Sequence, residues 1–199
     1  MGVGEVSSHS IRGSRRAVFL DRDGVINRAR VQNGKPYPPA NVAELEIVPD
    51  AADALADLKR HGFLLIVVTN QPDVARGSQR RDTVEQIHQV LASALPLDQI
   101  LVCYHSGEDR CDCRKPSPGL LIQAAREHQI DLTQSLMVGD RWRDIDAGLN
   151  AGCKTVLIDY GYQEQGPLRE PIKRVKSLRE AADWILSWNS KGENCDLGI

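Results

Sequence analysis

Short β-rich runs at 17–20, 64–68, 100–103, 136–138 and 155–158 alternate with helical patterns, and this alternation constrains the fold more than any other feature of the chain. The runs are apolar without interruption, as in Ala17-Val18-Phe19-Leu20. A strand that is apolar on both faces belongs in a parallel sheet covered by helices on both sides. The spacing predicts helices over 50–61, 82–95, 118–128, 144–151 and 178–188. Asp50 is expected to cap the first helix and Gly62 to stop it, while Val84, Ile87, Val90 and Leu91 give the second its apolar stripe. Ser117 is placed to cap the third, with Pro118 in its first turn, and Ser177 with Glu180 reads as a capping box for the last.

With 199 residues the chain suits one well-buried core. The expected organisation is a flexible arm over 1–16, one domain over 17–189 and a flexible tail over 190–199. Basic and acidic residues balance at 25 against 27, which gives no electrostatic case for nucleic acid or an anionic membrane surface. No apolar run approaches the ~20 residues of a membrane span, and the polar start lacks the apolar segment of a secretory signal. Three of the five cysteines, Cys103, Cys111 and Cys113, lie close together with His105 among them. That clustering suits a metal in a reducing, cytoplasmic compartment better than a disulfide framework, though a single stray disulfide is the alternative.

In parallel α/β sheets ligands gather at the carboxyl ends of the strands. Here the first run ends in Asp21-x-Asp23-Gly24, the second in Thr69-Asn70, the third in the Cys/His cluster leading to Arg114-Lys115-Pro116, and the fourth in Gly139-Asp140 with Asp144 beyond. Each feature alone is ordinary turn or surface chemistry. Their order along one rim is specific. Two carboxylates at the end of a buried strand repel each other unless a cation sits between them.

The set Asp21-x-Asp23-Gly24, Thr69, Lys115 and Gly139-Asp140-x-x-x-Asp144 resembles the four motifs of the haloacid dehalogenase-like (HAD) phosphohydrolases, from about Ala17 to Ile158. The resemblance implies a Rossmann-like three-layer α/β sandwich and magnesium-dependent phosphoryl transfer through an aspartyl-phosphate. It makes Asp21 the nucleophile and Asp23 the general acid and base. Thr69 and Lys115 would hold the phosphoryl oxygens. Magnesium would be bound by Asp21, the Asp23 backbone carbonyl and Asp140, with Asp144 acting through a metal water or orienting the shell.

Cys103-x-His105, followed by Cys111-x-Cys113, offers three sulfurs and an imidazole, a donor set for tetrahedral structural zinc. It is similar to the loop that histidinol-phosphate and heptose-bisphosphate phosphatases of this superfamily carry before Arg-Lys-Pro. Such a clasp would fix Arg114 and Lys115. The spans between strands leave little or no room for a cap domain, and the 24–49 segment is a candidate flap or a plain surface loop.

Ala75-Arg76-Gly77 favours the heptose 1,7-bisphosphate group over histidinol phosphate, while Pro72-Asp73 departs from its usual pattern. Asn70, Arg114 and Arg141 are the expected substrate contacts, the two cations suiting a second phosphate. Two other classes stay open: a protein that only binds a phosphorylated ligand, and a zinc-stabilised interaction module using Trp184 and Trp188. The expectation is a monomeric enzyme acting on a small phosphorylated sugar, with neither nucleic acid nor membrane as partner.

Overall fold

The computed structural model describes residues 15–190. A six-stranded sheet contains β1 (Ala17–Leu20), β4 (Leu64–Asn70), β5 (Gln99–Cys103), β6 (Leu136–Gly139), β7 (Lys154–Ile158) and β8 (Lys173–Val175). Its spatial order is β5-β4-β1-β6-β7-β8, and every pairing is parallel. The chain therefore builds outward from β1 on one side, then returns to build outward on the other. Between β1 and β6 the winding direction reverses, and such a switch point leaves a crevice at the carboxyl ends of the two strands.

Alternation along β1 explains why both faces are covered. Val18 and Leu20 point into a core with Leu65, Val67, Leu136 and Val138, beneath α1 (Ala51–Arg60), α2 (Arg81–Ala94) and α5 (Leu178–Ser190). Ala17 and Phe19 point the other way, with Ile66, Val68 and Met137, against α3 (Gly119–His128) and α4 (Trp142–Ala151). The result is the expected three-layer sandwich with a parallel central sheet. Each of α1 and α2 buries one stripe: Ala51, Ala54, Leu55 and Leu58 in the first, Val84, Ile87, His88 and Leu91 in the second.

Several local expectations are corrected. Asp50 flanks α1 in a left-handed conformation and makes no side-chain cap. Pro118, not Ser117, stands at the start of α3. α4 begins two residues before Asp144, whose carboxylate accepts the Arg141 backbone N–H and so closes the helix start. β4 runs on to Asn70, so Thr69 and Asn70 lie in the strand instead of after it. Ser177 does cap α5 through the Glu180 N–H, while Glu180 reaches back to Lys176.

The 24–49 segment holds a two-stranded hairpin, β2 (Arg30–Gln32) and β3 (Lys35–Tyr37). Asn33 and Gly34 both have positive φ at its turn, the conformation that Asn-Gly adopts most readily. Of the expected arm, Arg15 and Arg16 are described; Arg15 bridges Ile130 and Arg16 lies over the Phe63 ring. The rest of the arm and the tail, with Cys195, lie outside the described residues. Trp184 packs on the core and stacks with Trp188, which Lys154 covers. No helix among the described residues is long and apolar enough to cross a membrane.

Candidate active site

Both strands flanking the switch point end in a carboxylate. Asp21 continues β1 with its N–H on the Val138 carbonyl, and Asp140 follows β6. Asp144, one turn into α4, completes a trio whose oxygens lie within 4.8 Å of one another. Lys115 reaches the trio from the loop between β5 and α3. Its ammonium donates to Asp21 Oδ1 at 2.7 Å and to the Val68 carbonyl, and pairs with Asp144 Oδ1 at 2.6 Å. Two of the three buried carboxylates thus share one buried cation, and Asp140 does not contact it.

The charge that Lys115 does not cancel is visible in the acidities. Burial raises the Asp21 carboxyl to about 6, against the pull of Lys115 and with a push from Asp144 and Asp23. Burial, then Asp21 and Asp144, raise Asp140 well above the carboxylate range. Burial works against the Lys115 ammonium, but Asp144 and Asp21 outweigh it and strengthen its hold on the proton. Asp144 uses one oxygen on Lys115 and the other on the Arg141 N–H. Asp140 has no such outlet: its oxygens meet no donor in hydrogen-bond geometry among the described residues, although the Tyr162 hydroxyl is near enough to temper its charge. Hard oxygens crowded together, one pair of them orphaned, suit a magnesium-type cation.

Asp23 is arranged differently. Its carboxylate turns away from the trio into a cage of donors: Arg22 by two nitrogens, Asn27 at 3.0 Å and Gln71 at 2.9 Å. Burial would raise its pKa, but Arg22, Asn27 and Gln71 outweigh burial and hold it below the usual range. Gln71 also donates to the Thr69 hydroxyl, which is buried and leaves its own proton to donate elsewhere. Asn70 grips the Lys115 backbone on both sides, accepting from its N–H at 3.1 Å and donating to its carbonyl at 3.0 Å.

The Cys/His loop stands directly before this lysine. Cys103 ends β5, paired with Asn70 of β4. Cys103 Sγ lies 3.6 Å from His105 Nδ1 and 3.9 Å from Cys111 Sγ, and His105 Nδ1 lies 3.2 Å from Cys113 Sγ. A tetrahedral centre with Zn–S of about 2.3 Å requires sulfurs about 3.8 Å apart, so the donors already stand near a zinc geometry. All three cysteines stand as free thiols.

These residues open on a cleft of about 400 Å³. The hairpin supplies one wall through Lys35 and Tyr37, which favours the flap over an idle loop. Arg114 and Arg141, both expected, line it together with Arg76, noted in the sequence as part of Ala75-Arg76-Gly77, and Arg143, which the sequence reading did not single out. Arg141 is paired with Glu164, and Arg76 with Asp73. Arg114 and Arg143 have no carboxylate in ion-pair range among the described residues. Burial and the neighbouring guanidiniums of Arg141 and Arg114 lower the Arg143 pKa, with Glu164 opposing between them: a cluster of cations short of an anion.

Gly24 sets the distance between the two strand ends. Its φ is +88°, and a Cβ there would lie 1.9 Å from Asp140 Oδ2. Gly24→Ala should therefore displace Asp140 and abolish the phosphohydrolase activity expected from the motifs while the fold survives. Circular dichroism and a phosphate-release assay check this, and a Gly24→Ala protein with wild-type activity would refute the close approach.

The profile of the HAD-hydrolase-like family matches residues 112–181. The chain is 38% identical to the D-glycero-beta-D-manno-heptose-1,7-bisphosphate 7-phosphatase of Helicobacter pylori, over 85% of this chain and 97% of that protein. It is 35% identical to the Escherichia coli protein of the same name, over 86% of this chain and 88% of that one. Among solved structures, the D,D-heptose 1.7-bisphosphate phosphatase of B. bronchiseptica, complexed with magnesium and phosphate, superposes with a TM-score of 0.75 at 31% identity, covering 87% of this chain and 99% of that one. With its motif carboxylates gathered at one switch point, the chain belongs to the HAD-like phosphatases, in the group of the heptose bisphosphate phosphatases, and is a phosphoric monoester hydrolase.

Proposed function

We propose that the protein hydrolyses a heptose 1,7-bisphosphate at the 7-phosphate and leaves the monophosphate. The observation that carries this reading is one cleft with two kinds of floor. At its base lie Asp21, Asp144 and Lys115, with Asp140 buried behind them; at its mouth Arg114 and Arg143 have no carboxylate in ion-pair range among the described residues, with Arg141 beside them. The relatives named above act, by their names, on a sugar with two phosphates. Histidinol phosphate fits less well, because its amine calls for an acidic rim and Asp73 is already neutralised by Arg76.

Asp21 is the nucleophile: one oxygen is held by Lys115 and the other attacks phosphorus, giving an aspartyl-phosphate. Lys115 and the Thr69 hydroxyl stabilise the equatorial phosphoryl oxygens, and Asn70 positions Lys115 by clamping its backbone. Asp23 protonates the leaving oxygen, then takes a proton from the water that cleaves the aspartyl-phosphate. The incoming phosphoryl charge favours protonation of Asp23, offsetting the donors around it. Magnesium, held by Asp21, the Asp23 carbonyl and Asp140 with Asp144 behind them, supplies charge neutralisation at the reacting phosphate. Zinc held by Cys103, His105, Cys111 and Cys113 fixes the Arg114–Lys115 loop. The setting proposed is a reducing, cytoplasmic one, in keeping with Cys103, Cys111, Cys113 and Cys153 as free thiols.

The test is phosphate release with magnesium from the bisphosphate and from histidinol phosphate. Wild type should prefer the bisphosphate. Arg114→Ala should shrink that preference about 10- to 100-fold, the worth of a charge-assisted contact of roughly 1.5–3 kcal/mol. Asp21→Asn should lower turnover by about three orders of magnitude or more. Preference for histidinol phosphate would reassign the substrate, and substantial turnover by Asp21→Asn would overturn the covalent route.

Purified protein should hold about one zinc per chain. Cys111→Ser should lose it, with a lower Tm and lower activity, while Cys153→Ser keeps it. Elemental analysis of active protein without zinc would dismiss the clasp.

Asp21 binds more protons folded than unfolded between pH 3.8 and about 6, so without metal it withdraws stability as pH rises through that window. Magnesium must displace those protons. Its effect on Tm should therefore be larger near pH ~7.5 than near ~5. Equal increments at both values would mean that metal binding displaces no proton.

A further inference from the structure

Arg22 is 0% exposed, a rare state for an arginine, yet the reaction as derived gives it no partner beyond Asp23. Its Nε and Nη2 donate to the two Asp23 oxygens at 2.9–3.0 Å. Its remaining edge, Nη1, lies 2.9 Å from His88 Nε2. A guanidinium has only donors, so Nε2 must accept and the imidazole proton must sit on Nδ1. Nδ1 faces Glu85 Oε2 at 3.7 Å, an electrostatic contact longer than a hydrogen bond. Burial, followed by the Arg22 charge, pushes the His88 pKa down to about 4, in keeping with a neutral ring.

The path continues. Glu85 Oε1 accepts from the Tyr104 hydroxyl at 2.6 Å. Tyr104 lies between Cys103 and His105, and Arg81 covers its ring. His88 itself is 5% exposed on the buried stripe of α2, so its ring is fixed by the core.

We infer that His88 is a positioning residue for the phosphatase reaction: its imidazole fixes the third edge of the Arg22 guanidinium, and Arg22 in turn aims the Asp23 carboxyl at the leaving oxygen. Glu85 and Tyr104 tie that imidazole to the Cys/His loop. The inference rests on the reading of Asp23 as acid and base. In the first step the bond from phosphorus to the leaving oxygen breaks, the bond to the Asp21 oxygen forms, and the Asp23 proton passes to the leaving oxygen. Arg22 then faces the Asp23 carboxylate that remains. An alkoxide needs that proton to leave, whereas p-nitrophenolate leaves without it.

This difference separates positioning from a merely structural role. kcat/KM is measured for wild type, His88→Leu, His88→Gln and Tyr104→Phe, on p-nitrophenyl phosphate and on the best alkyl phosphate substrate of the wild type. His88→Leu should lose about 10- to 100-fold on the alkyl phosphate and less than about threefold on p-nitrophenyl phosphate. His88→Gln should recover most of the loss, because its amide oxygen can accept the same N–H. Tyr104→Phe should show the same pattern more weakly, with its zinc content intact. Equal losses on both substrates, or an unimpaired His88→Leu, would overturn the inference. If His88→Leu does not fold, a folded His88→Gln with equal losses on both substrates overturns it as well. Asp23→Asn distinguishes the two levels. If it shows no selective loss on the alkyl phosphate, the acid reading fails. If it shows that loss and His88→Leu does not, only the positioning role fails.

Discussion

Three carboxylates in one crevice, two of them on the Lys115 ammonium, set the terms for the rest of the structure. Unit charges about 4 Å apart at an effective dielectric of about 20 interact by about 4 kcal/mol, so Asp21, Asp140 and Asp144 cannot share a buried crevice on contacts with Lys115 alone. The fold concentrates compensation there. A topological switch point brings two strand ends together, the first turn of α4 engages Asp144, and Asn70 holds the lysine backbone in place. The residual negative charge is what makes the crevice a place for a divalent cation and, beyond it, for a phosphoryl group.

The placement of the Cys/His loop follows from the same requirement. A lysine arriving from outside the β1–β6 crevice needs a rigid approach, and Lys115 follows Cys113 by only two residues. β5 delivers Cys103 beside Asn70, so the Cys/His cluster and the lysine clamp meet at one point of the sheet. As the proposed zinc donors, these residues would shape the site without entering the reaction.

Most of this was legible in the sequence because it is local. Uninterrupted apolar runs announced strands covered on both faces, and each strand end carried its polar residues in order, so the carboxylates, Thr69, Lys115 and the Cys/His donors could be named. What stayed hidden depends on distant partners. Arg22 carries no signal of its own between Asp21 and Asp23, and only the packing of α2 buries it beside His88. Arg141 reads as a free rim cation until Glu164, beyond β7, engages it, leaving Arg143 as the less occupied neighbour. β8, with Lys173 and Arg174 exposed, lacks the apolar signal of the inner strands. Asn33-Gly34 did carry a hairpin signal, but the short polar strands around it lack the alternation that would complete it.

A hairpin instead of a cap domain leaves the mouth of the cleft continuous with solvent. Enzymes that pass a phosphoryl group to a chosen alcohol must shut water out while the acceptor waits. Two strands of three residues cannot do that. On the proposed route, water at its bulk concentration is the acceptor that reaches a phosphorylated Asp21 first, in agreement with a hydrolase rather than a transferase.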